Sequence, residues 1–341
     1  MTRRKDGRWQ ERVVIHADGR QITKYFYGKT KAEVNAKIHA YKVETERGRP
    51  FAEVADEWWT IAYDDIEHNT AKSYRAPYNR AKLYFGDTPI KEIRPVDIRR
   101  FLTEFVRETA PADKTCRTQL MIVNLICKHA LNCGDIDSNP ATGITVPKHL
   151  PKNLRDMPTD DDLQRVKDSV NCTFGLFAFF ALYTGCRKGE LLALEWDDID
   201  LFDRSIEITK SVYFVSNNPH IKQPKTLAGF RTVPIPNKLY EQIKGHKGRG
   251  LVFPGPTGRL ITNGQFNRLW NAYKAESGVT ATPHQLRHAY ATMLFEADIS
   301  AKDAQELLGH SQLSTTEDIY THIRDQRKER IKAALLDVDI A

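Results

Sequence analysis

The chain has 341 residues, 40% of them hydrophobic and 28% charged; this is a globular composition sized for two to three domains of ~100–200 residues, and it excludes a single small module or a disordered chain. No apolar run approaches the ~18 residues that cross a bilayer, Phe174 to Tyr183 being the longest candidate, and Met1-Thr-Arg-Arg-Lys-Asp lacks the apolar stretch of a secretory signal, so a cytoplasmic protein without a membrane partner is expected. The net charge of +7 lies wholly in residues 1–50, which hold 13 Lys/Arg against 6 Asp/Glu while the rest holds 38 of each; the front of the chain is suited to meet a polyanion.

Five cysteines (Cys116, Cys127, Cys133, Cys172, Cys186) make an odd count without a C-x-x-C pair. This argues against a disulfide framework and a zinc ribbon, and all five are expected as small buried residues.

Along the chain, Arg8 to His16 and Gln21 to Tyr27 alternate like strands around a turn signal at Ala17-Asp18-Gly19-Arg20. Thr30-Lys-Ala-Glu33 reads as a capping box opening a helix that runs to about Arg47, with Gly48 as its stop. Residues 1–50 are thus predicted to be a small sheet on a helix. Arg8, Trp9, Arg12, Lys24, Tyr25 and Tyr27 would offer cations and aromatics from one sheet face, and a β-ribbon fits the DNA major groove.

Residues 51–141 read as an all-helical domain, with apolar periodicity over Val54 to Ile61, Ala71 to Phe85, Val96 to Val106 and Cys116 to Cys133; Pro95 suits a first helical position and Gly134 a stop. Residues 142–158 hold Pro147, Pro151 and Pro158 and follow Asn139-Pro140, which marks a linker. Residues 159–341 read as a mixed α+β domain, mainly helical. Its helices are expected over Asp161 to Ser169, Thr173 to Tyr183, Lys188 to Leu194 and Gln265 to Glu276, and its strands around Ser205 to Phe214, His220 to Thr226 and Arg231 to Ile235.

Within that last block, Thr282-Pro-His-Gln-Leu-Arg-His288 combines an N-cap, a proline at the first helical position and a capping-box glutamine. His284 and Arg287 then lie on one face beside a helix N-terminus, where amide donors and the dipole attract anions; an ordinary surface helix is the bland alternative. A zinc pair of His284 and His288 lacks the glutamate of H-E-x-x-H and a third ligand. In Tyr183-Thr-Gly-Cys-Arg-Lys-Gly-Glu-Leu-Leu-Ala-Leu194 a helix breaks at Gly185 and another begins near Arg187, a side chain suited to bidentate phosphate recognition, with Glu190 one turn on to orient it. Downstream, Leu307-Leu-Gly-His310 closes a helix capped by Ser300. Ser314-Thr-Thr-Glu317 reads as a capping box for a helix carrying Tyr320. A satisfied loop histidine and a core tyrosine are the common meanings of His310 and Tyr320 taken singly.

Taken together, Arg187, Lys225, His284-x-x-Arg287, His310 and Tyr320 resemble the tyrosine recombinase (phage integrase) family, through T-G-x-R-x-G-E-L-L-A-L, H-x-L-R-H, L-G-H and I-Y-T-H in that order. The middle block is similar to the family's SAM-like core-binding domain. The front block is similar to the arm-binding domains of integrases from temperate phages and integrative conjugative elements. Cys186 departs from the apolar residue expected at the variable position of the first motif.

The resemblance implies a multidomain enzyme that cuts and rejoins DNA through a 3'-phosphotyrosine, integrating and excising a mobile element. Tyr320 would attack, although a phenol with pKa ~10 is only about one-thousandth ionised at pH 7. Arg187 and Arg287 would hold the non-bridging phosphate oxygens, His310 would donate to the same phosphate, Lys225 would protonate the leaving 5'-oxygen, and His284 would give acid/base support. Lys222 and Lys210 are rivals for the lysine role, and the Lys225-Thr226 pair matches the family. The family also implies no cofactor and no metal, double-stranded DNA carrying core and arm attachment sites, a homotetramer on that DNA, a directionality factor and a DNA-bending host protein.

The sequence agrees on cofactors. Gly28-Lys29-Thr30 lacks the earlier glycine of a phosphate-binding loop, position 23 being Thr23, and Asp160-Asp161-Asp162 reads as N-capping. The tail from Arg324 through Arg327, Lys328 and Arg330 to Ile331–Leu336 reads as a basic amphipathic helix, which docks in the family on a neighbouring protomer or else packs locally. Alternative readings are a type IB topoisomerase-like relaxing enzyme, a catalytically dead DNA-binding regulator and a metal-dependent transposase.

Overall fold

A computed structural model describes residues 1–17, 20–151, 157–224, 227–246, 248–314, 316–317, 319–321, 323–324 and 328. The chain divides into two compact units, Met1–Leu154 and Arg155–Ala341.

The first unit opens with an antiparallel sheet of β1 (Thr2–Arg3), β2 (Trp9–Ala17) and β3 (Arg20–Gly28); the predicted turn residues Asp18 and Gly19 lie outside the described residues. At the start of helix α1 (Lys31–Arg47) the Glu33 N–H donates to Thr30 Oγ1 at 3.1 Å, half of the predicted capping box, while the Glu33 carboxylate accepts from the N–H of Lys29, one residue before the cap. The register corrects the expectation of a single cationic, aromatic face. Arg12 pairs with Tyr25 and Val13 with Lys24, and side chains alternate along a strand, so Trp9 and Lys24 share one face while Arg12, Tyr25 and Tyr27 share the other. Helix α1 covers the first of these: Lys24 Nζ lies 3.9 Å from the Tyr41 ring, Phe26 packs on Tyr41, and Lys31 Nζ lies over Trp9. Arg8 precedes β2 and is paired with Asp6.

Four helices follow as expected: α2 (Phe51–Asp65), α3 (His68–Phe85), α4 (Pro95–Thr109, Pro95 at its start) and α5 (Asp113–Cys133). Gly134 ends α5 in the left-handed conformation that glycine favours. Phe51, Ile98, Leu102, Ile122 and Ile126 are fully buried between these helices. The proline-bearing segment is packed up to residue 151: Ile144, Val146 and Leu150 join the same core, and the Pro151 carbonyl accepts the Asp113 N–H. Cys116 and Cys127 are buried as expected, whereas Cys133 is exposed at the end of α5.

The second unit contains α6 (Asp160–Asp168), α7 (Gly175–Thr184), α8 (Lys188–Ala193), α9 (Asn237–Ile243), α10 (Asn263–Ser277), α11 (Pro283–Glu296) and α12 (Ala301–Leu308). Two small antiparallel sheets accompany them: β4 (Ile199–Asp200), β5 (Ser205–Ile208) and β8 (Arg231–Pro234) in the order β4-β5-β8, and β6 (Ser211–Val215) with β7 (Asn218–Lys222). The single strand expected over 205–214 is therefore two, because the chain changes sheets at Thr209-Lys210, where Lys210 turns to Glu195 and Asp198. Helix α7 is apolar on nearly all sides and packs against α11 inside the main core. The acidic start of α6 is also corrected. Thr159 is the N-cap, and the buried Asp162 carboxylate accepts from the Thr280 N–H and hydroxyl at 2.7 and 2.8 Å. Among the described residues no helix is long and apolar enough to cross a membrane.

Candidate active site

The site is assembled where three helix ends meet β8. Gly185 ends α7 with φ 61°, and a Cβ there would stand 2.2 Å from Tyr290 Cδ1, so only glycine fits both the backbone and the packing. Two residues later Arg187 is the N-cap of α8. Its N–H donates to the Glu190 carboxylate at 2.7 Å and its guanidinium to the same carboxylate at 2.8 Å.

The other fixed point is the C-terminus of α12, where helical carbonyls lack amide partners and carry the negative end of the dipole. Three arginines from three different elements cap it. Arg231 Nε donates to the Leu307 carbonyl at 2.8 Å, Arg287 Nη2 to Leu308 at 2.5 Å, and Arg187 Nη2 to Gly309 at 2.7 Å. Arg287 Nη1 also donates to the Gly185 carbonyl at 2.7 Å, tying the end of α7 to the end of α12. Gly309 leaves the helix with φ 65° and delivers His310. Arg287 thus departs from the expected solvent-facing phosphate site at its own helix N-terminus: it is 4% exposed and directed into this junction.

Among the described residues, Glu190 is the one carboxylate hydrogen-bonded within this arginine cluster. Burial opposes its ionisation, yet hydrogen bonds from Arg231 at 2.7 and 3.1 Å and the charges of Arg187 and Arg287 hold its carboxyl down at about 2. Three guanidiniums against one carboxylate leave an excess of positive charge. Burial and then the Arg187 charge pull the pKa of Arg287 down to about 9. Such a cluster favours an incoming anion, and Arg187, whose side chain is 44% exposed, is the member that reaches solvent.

His310 is buried, with Nδ1 2.9 Å from the hydroxyl of fully buried Thr316 and its carbonyl accepting from Gln305 Nε2. Burial, then the charges of Arg287 and Arg187, lower its pKa to about 3, so it is neutral at pH 7. The folded value lies below the ordinary 6.5; His310 therefore contributes stability that is complete above pH 6.5 and is lost as pH falls toward 3. One fewer bound proton gives a slope of about 1.4 kcal/mol per pH unit. We predict that His310→Gln flattens the loss of stability between pH 6.5 and 5 by about 1–2 kcal/mol in urea titrations; an unchanged pH dependence would refute the assignment.

The described residues between 313 and 324 are helical and carry Tyr320. This helix has begun by Leu313, so Ser314 is already inside it and the predicted Ser314–Glu317 capping box is not its start. Tyr320 is buried against Phe295, and its hydroxyl donates to the Ile299 carbonyl at 3.2 Å. Burial and Asp303 raise its pKa. The structure thus brings Arg187, Glu190, Arg287 and His310 into one cluster and holds the Tyr320 hydroxyl on a separate carbonyl.

His284 is exposed in the first turn of α11, with Nε2 3.1 Å from Nε2 of buried His288, and Thr282 and Gln285 form the predicted capping box. Among the described residues no third His, Cys, Asp or Glu ligand completes a metal site with this pair. Lys225, with Thr226, lies outside the described residues. Lys210 is occupied by Glu195 and Asp198, and Lys222 Nζ lies 5.5 Å from the Tyr213 ring. A pocket of about 690 Å³ lies beside the cluster, lined by Arg231, Lys302, Gln305 and His310 among others. Sequence reasoning missed Arg231 and Thr316. Arg231 stands in no distinctive motif and its partners lie on other elements, while Thr316 sits inside the run read only as a capping box.

Residues 161–327 match the phage integrase family, and residues 50–106 match the phage integrase N-terminal SAM-like domain. A tyrosine recombinase XerC-like protein of Caldanaerobacter subterraneus subsp. tengcongensis is 28% identical over 98% of this chain and 98% of its own length. A putative prophage phiRv2 integrase of Mycobacterium tuberculosis is 28% identical over 86% of this chain and 79% of its own. The solved Tn1549 transposon integrase in complex with transposon right end DNA has the same fold, with a TM-score of 0.67 at 21% identity over 83% of this chain and 99% of that one. A lambda integrase dimer bound to a core site gives 0.59 at 18% identity over 93% of each chain.

Proposed function

Because the chain belongs to the phage integrase family, we propose that it is a site-specific tyrosine recombinase that integrates and excises a mobile DNA element. The observation that carries this reading is the arginine-rich cluster at the end of α12, a cationic seat for one phosphate beside the helix that bears Tyr320. In the reaction, the Tyr320 oxygen bonds to phosphorus while the bond from phosphorus to the 5'-oxygen breaks. Arg187 and Arg287 take up the charge of the pentacoordinate state and His310 donates to it. The phenolic proton leaves with support from His284, and Lys225 protonates the departing oxygen. The product is a 3'-phosphotyrosine, whose energy is retained for attack by a 5'-hydroxyl of another strand. No metal and no nucleotide enter this scheme.

The domain roles follow the same reading: residues 1–50 bind arm sites, 51–141 the core site, and 159–341 carry catalysis, joined through 142–158. The chain acts as a homotetramer on DNA at the nucleoid in the bacterial cytoplasm, with a directionality factor and a bending protein as partners. A dead regulator is disfavoured because competent side chains stand at every motif position, and a topoisomerase needs no arm.

The test is a trapping assay with the full chain in EDTA, without nucleotide, on nicked duplexes from the DNA flanking its gene. A denaturation-resistant adduct is expected. Specific binding without an adduct would favour the regulator, and an adduct requiring Mg²⁺ would overturn the mechanism. For the arm, the open sheet face narrows the candidate contacts to Arg12, Tyr25 and Tyr27. We expect Arg12→Ala to lower the salt slope of arm-site binding by about one unit and Lys24→Met, on the helix-covered face, to leave it unchanged; the reverse pattern would refute the face assignment.

A further inference from the structure

A cluster in the first unit plays no part in this chemistry. Cys133 is the last residue of α5 and His129 lies one turn earlier on the same face, while Glu57 projects from α2, which packs against α5. Cys133 Sγ lies 3.6 Å from His129 Nε2, His129 Nε2 lies 3.8 Å from Glu57 Oε1, and all three donor atoms fall within 4.8 Å of one another. We propose that Glu57, His129 and Cys133 form a binding site for Zn²⁺, with solvent supplying the fourth ligand.

The donor set is of the kind zinc selects: one thiolate, one imidazole and one carboxylate. The spacing fits as well. Zinc bonds of ~2.3 Å to sulfur and ~2.0 Å to nitrogen at the tetrahedral angle place those two atoms about 3.5 Å apart, and nitrogen and oxygen about 3.4 Å apart. The Sγ–Nε2 and Nε2–Oε1 distances need to contract by only a few tenths of an ångström, and Sγ and Oε1 lie within 4.8 Å of each other. The surroundings orient the ligands too. Arg49 holds the other Glu57 oxygen, Oε2, and also bonds Asp135 at 3.2 Å, which leaves Oε1 facing His129. Outer-shell contacts of this kind fix a ligating carboxylate and balance the added charge. His129 is only 15% exposed, whereas Cys133 is open to solvent, so an ion can enter from outside. Bound there, it would staple α2 to the end of α5.

The probe is Co²⁺, which reports thiolate ligation by a charge-transfer band, added to the reduced, untagged, chelator-treated full chain. One equivalent per chain should produce the band together with the visible spectrum of a four-coordinate ion, and Zn²⁺ should displace both. Cys133→Ser should abolish the band and weaken Zn²⁺ binding at least ~10-fold without altering the circular dichroism spectrum. Cys172→Ser removes the other cysteine that is not buried, one placed by Glu276, and should change nothing. Zn²⁺ should also raise the Tm of the wild type and not of Cys133→Ser. A wild-type chain without the band, or a band that survives Cys133→Ser, would overturn the site; in that case the short Cys133–His129 contact is a thiol donating to an imidazole and nothing more.

Discussion

Tyr320→Phe is expected to eliminate the covalent protein–DNA adduct and to leave binding of the target site within about twofold of wild type. The substitution removes only the oxygen that bonds to phosphorus, so no slower route through the same ring remains. Neighbouring phenols lie outside the matched I-Y-T-H motif and are not expected to substitute. Tyr290 is buried with its ring against Gly185, and burial followed by the nearby Cys186 pushes its pKa up to about 12, while burial also raises that of Tyr183. The cost to the fold is small. Tyr320 gives up one hydrogen bond to the Ile299 carbonyl, worth ~0.5–1.5 kcal/mol, and keeps its ring contact with Phe295 at 5.0 Å between centroids. The same hydrogen bond means that the wild-type hydroxyl must leave Ile299 before it can reach a phosphate. The measurement is electrophoresis of denatured reactions on nicked duplex beside a binding titration, and adduct remaining in Tyr320→Phe would place the nucleophile elsewhere.

Much of this site was readable from the sequence because its parts are local. The Thr282–Gln285 capping box, the Ser300 cap and the Arg187–Glu190 contact each join residues at most three apart, so spacing alone predicts them. What the sequence hides are partnerships made by topology. Arg231 reaches Glu190 across 41 residues and Leu307 across 76 because β8 pairs with β5 beside the end of α12, and no periodicity in its own strand signals that. Arg287 illustrates the same limit. Its position on α11 was clear, but whether it faces solvent or a junction depends on α7 and α12 arriving together. The strand pair shows a different failure. A strict two-residue alternation separates Arg12 from Trp9 and Tyr25 from Lys24, so the two faces could have been told apart, whereas which of them the predicted helix covers could not. At 313–317 a serine–glutamate spacing suggested a cap, yet the helix had already begun and Thr316, from the same run, bonds His310 instead.

The largest stability effect is expected at Glu190. Its carboxylate is 6% exposed and opposes three guanidiniums, of which Arg231, 5% exposed, makes two hydrogen bonds to it. Removing one partner of a buried ion pair leaves the other charge uncompensated and costs ~3–5 kcal/mol. Glu190→Gln should lie at the upper end of that range, because Arg231, Arg287 and Arg187 then repel one another with no anion among them. Arg231→Met should cost less: it removes two hydrogen bonds to Glu190 and the donor to the Leu307 carbonyl, but Glu190 keeps Arg187 at 2.8 Å. Acid titration of Glu190 itself gives no easier route to this state, since a carboxyl held at about 2 contributes stability that is complete above its ordinary 4.5 and is lost only as pH falls through about 2. The two residues are partners of each other, so the double variant should be less destabilised than the sum of the single ones by ~1–3 kcal/mol, read from urea denaturation of all four proteins. A further outcome separates charge from packing. If positive excess is what destabilises Glu190→Gln, inorganic sulfate should restore part of its Tm and do little for the wild type beyond its general effect. Equal rescue of both proteins, or a Glu190→Gln chain within 1 kcal/mol of wild type, would show that the arginines are held apart by their backbone carbonyls alone and that Glu190 does not balance the site.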